Sequence, residues 1–328
     1  MTGGGGDMGT GKPMHPGRGE AAARSTASNG VMNYLFHHWQ LYLMLAVPVA
    51  YVLLFAYLPM VGLEMAFVDY RPSRGLFGSE FVGLRHFLRF FRSPSFLTLV
   101  GNTFLLSFYS LVFSFPFPIL LALGLNEIRN GTVKRAMQTV TYAPYFISTV
   151  VMVSLVFQWT DMRIGIVNLA ISFLGGTPRN FMGEQGSFRG LYVLSGIWQF
   201  TGFNSIIYLA TLSSIDPQLH EAAIVDGASR LRRVWHIDLP GILPTIVILL
   251  ILNCGRLLSV GFEKVFLMQT PLNTAVSEII STYVYKIGIQ QRSFSFAVAV
   301  GLFNSLVNLI LIASVNALAR RTGETSLW

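Results

Sequence analysis

An all-α polytopic membrane protein with six transmembrane helices is the fold class this sequence predicts, on three observations. The 328-residue chain is 52% hydrophobic and only 12% charged, about half the charge content of a typical soluble domain. So few charges cannot coat a globule of this size, and lipid is the natural solvent for the surplus apolar surface. Six separate segments carry the roughly twenty mainly apolar residues that a bilayer crossing needs. Prolines at 48, 59, 116, 118, 144 and 244 interrupt or open those segments. Broken helices in lipid demand packed neighbours or a wet cavity, so a carrier fits better than a simple anchor.

From the N-terminus, residues 1–32 are glycine-rich with few large apolar side chains, too little to order a tail. Gly6 to Lys12 nearly spells a phosphate-cradling loop, but Pro13 replaces the metal-binding hydroxyl and no strand precedes the glycines. The expected spans are Leu41–Leu63, Thr103–Leu125, Val140–Trp159, Leu191–Leu212, Leu243–Val260 (or on to Met268) and Phe294–Leu318. The first starts too far in, and is too long, for a cleaved signal peptide.

After it, FVGLRHFLRFFRSPSF repeats apolar residues at three and four, with Arg85, Arg89 and Arg92 opposite. That pattern suits a helix lying along a membrane surface or against a partner. Basic residues divide evenly between the two sides, but the short loop NEIRNGTVKRA is densely basic and favours the tail's side as the cytoplasm. The organisation expected is a cytoplasmic tail over 1–32, a first helix and external amphipathic loop over 33–96, a five-helix core over 97–319, and a cytoplasmic tail over 320–328.

The net charge of +8 would suggest nucleic acid in a soluble protein; here basic residues flank spans and face anionic head groups. The single Cys254 excludes an intrachain disulfide and any multi-cysteine metal site.

The loop at 217–240 interrupts the apolar runs with arginines, acids and histidines. Asp216-Pro217 is a capping carboxylate before a proline at the first helical position. PQLHEAAIVD is good helix, Gly227 supplies a left-handed stop, and a second short helix, ASRLRRVWH, follows until Pro240 restarts the chain into the next span. A ten-residue helix is marginal alone in water and needs a surface to lean on. Ala222 and Ala223 let that surface approach closely, and Glu221 offers it a charge.

The spacing Glu221-Ala222-Ala223, Gly227, Ile237, Leu239-Pro240 is similar to the EAA loop of the membrane subunits of binding-protein-dependent ABC importers. The resemblance runs from about Asn33 to Trp328. NTFLLS at 102–107, YLATLSSIDP at 208–217, GFEKVFLM at 261–268, TYVYKIGI at 282–289 and the terminal SLW resemble the subfamily importing oligo- and polysaccharides. SEIIS at 277–281 departs from it, since an acid is expected nearer TYVY. The resemblance implies a type I permease fold and a heterodimer with a second, homologous permease subunit in the inner membrane. It also implies two ATPase subunits that hold the ATP and magnesium, an external solute-binding protein and a saccharide cargo. One ATPase would receive Glu221, Ala222, Ala223, Gly227, Ile237 and Pro240 in a groove. This chain would be non-catalytic and hold no cofactor or metal.

Arg256, the one charge well inside an apolar run, is expensive there. It snorkels, pairs with an acid on a neighbouring span, or lines the path; in the last case it favours an acidic sugar such as alginate fragments. Trp198, Gln199, Asn204 and Tyr208 in the fourth span, Asn253 in the fifth and Trp159 ending the third carry saccharide-binding chemistry, though each such residue alone more often serves packing or a helix–helix hydrogen bond. Two other classes compete. A membrane-embedded enzyme has little to work with, since all six histidines (15, 37, 38, 86, 220, 236) fall outside the spans. An ion-coupled secondary sugar transporter needs carboxylates in mid-span, where the sequence has none.

Overall fold

The computed structural model describes residues 37–255 and 261–321. Contacts divide the chain into two units, Met1–Gly62 and Leu63–Trp328. In the first, helix α1 (Trp39–Val52) passes into a π turn (Leu53–Tyr57) and then into 3-10 turns from Leu58. The widened turn lies between Pro48 and Pro59, and the tightened turns, Leu58–Phe67, open at Leu58-Pro59; each proline deletes a backbone donor. α1 buries none of its residues. Its exposed leucines, valines and aromatics are the surface that lipid covers.

The second unit opens with an antiparallel hairpin, β1 (Val68–Arg71) and β2 (Gly75–Phe81), in the register Val68 opposite Phe81. The Tyr70 amide donates to the Ser295 hydroxyl at 2.8 Å, tying the hairpin to the last helix. α2 (Arg85–Phe91) follows and inserts Phe90 among Leu99, Ile280, Phe296 and Val300. α3 (Phe96–Ser114) and α4 (Pro116–Asn126) form one 31-residue apolar run.

α5 (Gly131–Tyr142) starts where the Asn130 side chain accepts from the Thr132 and Val133 amides. After a 3-10 turn, Ser148 caps α6 (Thr149–Trp159) by accepting from the Val151 amide. The expected third span is therefore not straight: the chain bends by 100° between Phe146 and Thr149. A part-buried tertiary bond stabilises the break, with Gln199 Nε2 donating to the Ile147 carbonyl at 2.9 Å.

α7 (Ile166–Phe173) leads to α8 (Gln185–Leu212), the 28-residue central helix. Two apolar clusters build on it. One holds Phe188 with Leu106, Met152, Val265 and Ile279; the other holds Tyr208, Leu209 and Leu212 with Ile119, Leu125 and Ile242. Beyond α9 (Pro217–Val225), α10 (Arg230–Arg233) runs through a π turn (Val234–Asp238) into α11 (Leu239–Cys254). The expectation that Pro240 ends one helix and starts another is corrected, because Arg230–Cys254 is one continuous 25-residue run. The π turn widens the helix just where Pro240 brings no amide.

α12 (Phe262–Met268), α13 (Thr274–Ser277), α14 (Ile280–Tyr285, continued by a π turn to Gln290) and α15 (Phe294–Arg321) complete the chain. Four helical runs are long and apolar enough to cross a bilayer among the described residues, Trp39–Phe67, Phe96–Asn126, Arg230–Cys254 and Phe294–Ala317, and the bent pair 131–159 makes a fifth. α8, which contains the expected fourth span, is long enough but interrupts its apolar residues with Gln199, Thr201 and Asn204.

Between Met268 and Ile280 the backbone is helical only over the four residues of α13, and side chains replace the lost ladder. Asn273, fully buried, donates to the Met182 and Met268 carbonyls and accepts from the Thr270 amide and the Ser277 hydroxyl. Asn102 donates to the Ala275 and Glu278 carbonyls while Arg189 donates to its oxygen. Non-helical backbone at membrane depth is tolerated only with such internal satisfaction.

Candidate functional site

A cavity of about 450 Å³ opens among α3, α4, α8, α11 and α12. Helical spacing sets its polar wall. Ser107, Ser110 and Ser114 recur at three and four along α3 and line it. Asn204 and Tyr208, one turn apart on α8, and Asn253 on α11 complete that wall. The Ser107 and Ser110 hydroxyls accept or donate no hydrogen bond among the described residues.

Lys264 is the charge in this cavity. It sits on α12 at 7% exposure. Its Nζ donates to the Tyr192 carbonyl at 2.9 Å and stands 4.7 Å from the centre of the Tyr192 ring. Val265 and Met268 on this short helix are buried in the core, which anchors it. Among the described residues no carboxylate lies within 4 Å of Lys264. Buried charges ordinarily pair, so a cation held only by a carbonyl and a ring face leaves the cavity electropositive, with hydroxyls and amides around it. That arrangement suits a polyhydroxylated anion.

The sequence-derived candidates separate into two groups. Asn204, Tyr208 and Asn253 line the cavity. Trp159 and Trp198 do not; their rings meet edge to face at 5.5 Å. Gln199 is spent on the α5–α6 break. Arg256 lies outside the described residues. Lys264 was not singled out in the sequence, where it lies in the stretch 261–268 that the fifth span includes only in its longer form; a lysine beside Glu263 in the otherwise apolar GFEKVFLM was the available signal.

The loop at 217–238 sits at the far end of α8. Asp216 accepts from the Gln218 amide at 2.9 Å, fixing the start of α9. Its end is a Schellman motif: the Gly227 amide donates to the Ile224 carbonyl, the Ala228 amide to the Ala223 carbonyl, and Gly227 has φ +75°. Glu221 and Ala222 face outward, with Leu219, Ile224 and Val225 exposed around them. Ile237 is half-buried and Pro240 exposed. Underneath, His220 Nε2 lies 3.3 Å from Asp238 Oδ1, and Asp238 is 1% exposed. This contact ties the short helix to the foot of α11. The loop thus presents an exposed apolar knob on a fastened base.

Residues 114–324 match the family described as binding-protein-dependent transport system inner membrane component. The chain belongs to that family. The match covers α4 to α15 and so includes the loop and all of the cavity lining except Ser107, Ser110 and Leu111 on α3. Among curated relatives, the polygalacturonan/rhamnogalacturonan transport system permease protein YteP of Bacillus subtilis (strain 168) is 48% identical over 288 residues, spanning 88% of this chain and 90% of that protein. Protein LplB of the same organism is 43% identical over 305 residues, 92% and 96% of the two chains. Among solved structures, a bacterial alginate ABC transporter in complex with an alginate pentasaccharide-bound periplasmic protein contains a chain 39% identical, with a TM-score of 0.83 over 90% of this chain and 99% of that one. The permease fold is therefore shared along nearly the whole length.

Proposed function

We propose that this chain is the permease subunit of an ATP-driven importer of acidic oligo- or polysaccharides, of the polyuronate kind. The observation that carries the reading is Lys264, a buried cation in a hydroxyl- and amide-lined cavity. Two of the relatives described above are named for carboxylate-bearing glycans, polygalacturonan and alginate, and a carboxylate is the group an ammonium in such a cavity recognises.

In this reading six helices span the inner membrane, α8 being the sixth alongside the five apolar runs, with both termini cytoplasmic. A second permease completes the path. An external binding protein delivers the saccharide. Two ATPase subunits hold ATP and magnesium, and one of them receives Glu221, Ala222, Ala223 and Gly227 of the exposed knob. The chain itself catalyses nothing. Nucleotide-driven closure of the ATPases moves α9; the His220–Asp238 contact and the continuous Arg230–Cys254 run pass that movement to the Asn253 wall of the cavity. The driving free energy comes from differential nucleotide binding on other chains.

The test is uptake by the reconstituted importer of trigalacturonate against a neutral trisaccharide. Replacing Lys264 by Gln lowers trigalacturonate uptake about tenfold or more, the range for losing one hydrogen bond to a charged group, and Lys264→Arg retains most of it. Equal uptake by wild type and Lys264→Gln would remove the substrate role.

A further inference from the structure

A second cavity, of about 470 Å³, lies one span away from the 217–238 loop, at the α2 end of the 31-residue α3–α4 run. Arg89, Arg92, Ser93, Tyr283, Gln291 and Phe296 are among its lining. The Arg89 guanidinium stacks over the Phe296 ring at 4.7 Å, which fixes its position. Among the described residues neither Arg89 nor Arg92 has a carboxylate within 4 Å, and no acidic residue lines the cleft. Arg292, exposed and with φ +57°, stands between the lining residues Gln291 and Ser293.

α2 explains what this cleft is for. Its residues fall on three faces, not the two that the sequence pattern suggested. His86 and Phe90 are buried against the protein. Arg85, Arg89 and Arg92 form a second stripe, one turn apart each. Leu84, Leu88 and Phe91 form a third stripe beside the arginines and are exposed, at 61%, 50% and 46%. At about 100° per residue, the apolar stripe is adjacent to the arginine stripe; Leu84 and Leu88 turn away from the buried face, while the half-exposed Phe91 also meets the Phe96 and Phe303 rings. A helix with one face on protein, one on hydrocarbon and guanidiniums between them lies in the head-group layer of a bilayer.

From this juxtaposition we infer that the Arg89–Arg92 cleft binds the phosphodiester of an anionic phospholipid, whose acyl chains lie over Leu84, Leu88 and Phe91. Two unpaired guanidiniums match a phosphate. A soluble saccharide or an acidic protein surface would cover the arginines and leave the neighbouring apolar stripe in water.

The probe is phosphatidylglycerol, added to the full-length chain purified in detergent with its accompanying subunits and followed by native mass spectrometry. Phosphatidylcholine, inorganic phosphate and trigalacturonate are the comparison ligands. Wild type retains phosphatidylglycerol over phosphatidylcholine. Arg92→Gln lowers retention about fivefold and Arg89→Gln with Arg92→Gln about 25-fold, from the worth of each basic residue near anionic head groups. Arg92 makes no packing contact of the kind Arg89 makes with Phe296, so its single replacement leaves the fold intact; the wild-type selectivity needs no variant at all. Equal retention of the two lipids, unchanged retention in the double variant, or displacement of the lipid by equimolar phosphate or trigalacturonate would each overturn the assignment, the last two by making the cleft a free-anion or a saccharide site.

Discussion

Gly227 offers a perturbation whose cost can be worked from backbone geometry alone. A Cβ built there meets nothing within 4 Å, so substitution brings no steric clash. What it brings is strain, because φ is +75° and an L-residue in the left-handed region costs about 1–2 kcal/mol. Asparagine tolerates that region better than alanine, and a β-branched residue tolerates it worst. The penalty falls on the Schellman end of α9, where the Gly227 and Ala228 amides cap the Ile224 and Ala223 carbonyls. If docking requires that end, the affinity of the permease for its ATPase subunit drops about 5- to 30-fold for Gly227→Ala, less for Gly227→Asn and more for Gly227→Val. Titration of purified ATPase subunit against the solubilised permease, read by co-elution, measures the series. Equal affinities for glycine, alanine and valine would refute the reasoning, since strain at this position is independent of what the knob touches.

Three further outcomes follow from named contacts. Asn273→Ala removes four hydrogen bonds, three of them buried, and lowers stability by about 3–5 kcal/mol; thermal unfolding in detergent reads it as a large fall in Tm. A Cβ at Gly202 would fall on the Thr141 carbonyl, so Gly202→Ala pushes α8 off α5 and costs about 1–3 kcal/mol, whereas Gly186→Ala, with open space around it, leaves Tm unchanged. In the loop after α6, the Ile164 and Arg163 amides donate to the Asp161 carboxylate and hold its pKa below the usual 3.8. A depressed folded pKa contributes order that is complete above 3.8 and is lost as pH falls through the lowered value; the carboxyl carbon shift of Asp161 in labelled protein titrates below 3.8, and a midpoint at or above it contradicts the assignment.

How much of this was legible in the sequence differs by element. The loop was readable almost residue by residue, because caps and left-handed stops are local chemistry: Asp216, Pro217 and Gly227 do what their types require. The apolar runs were readable too, since lipid selects on average composition. The bend at 147–148 was not, because hydropathy is blind to direction and the bond that holds it, Gln199 to Ile147, joins residues 52 apart in sequence. Nor was the continuity through Pro240: the rule that proline ends a helix was overridden by a π turn. Lys264 was missed for a related reason, as its partner is the Tyr192 carbonyl, 72 positions away. Gln199 and Trp198 show what residue type alone leaves out: in the fold Gln199 donates to the Ile147 carbonyl and Trp198 meets the Trp159 ring.

Transport energetics test the account most directly. In proteoliposomes holding the complete importer, trigalacturonate accumulation is expected to require ATP hydrolysis and to be indifferent to imposed proton or sodium gradients. Accumulation driven by an ion gradient through this chain, with the ATPase subunits absent, would contradict it.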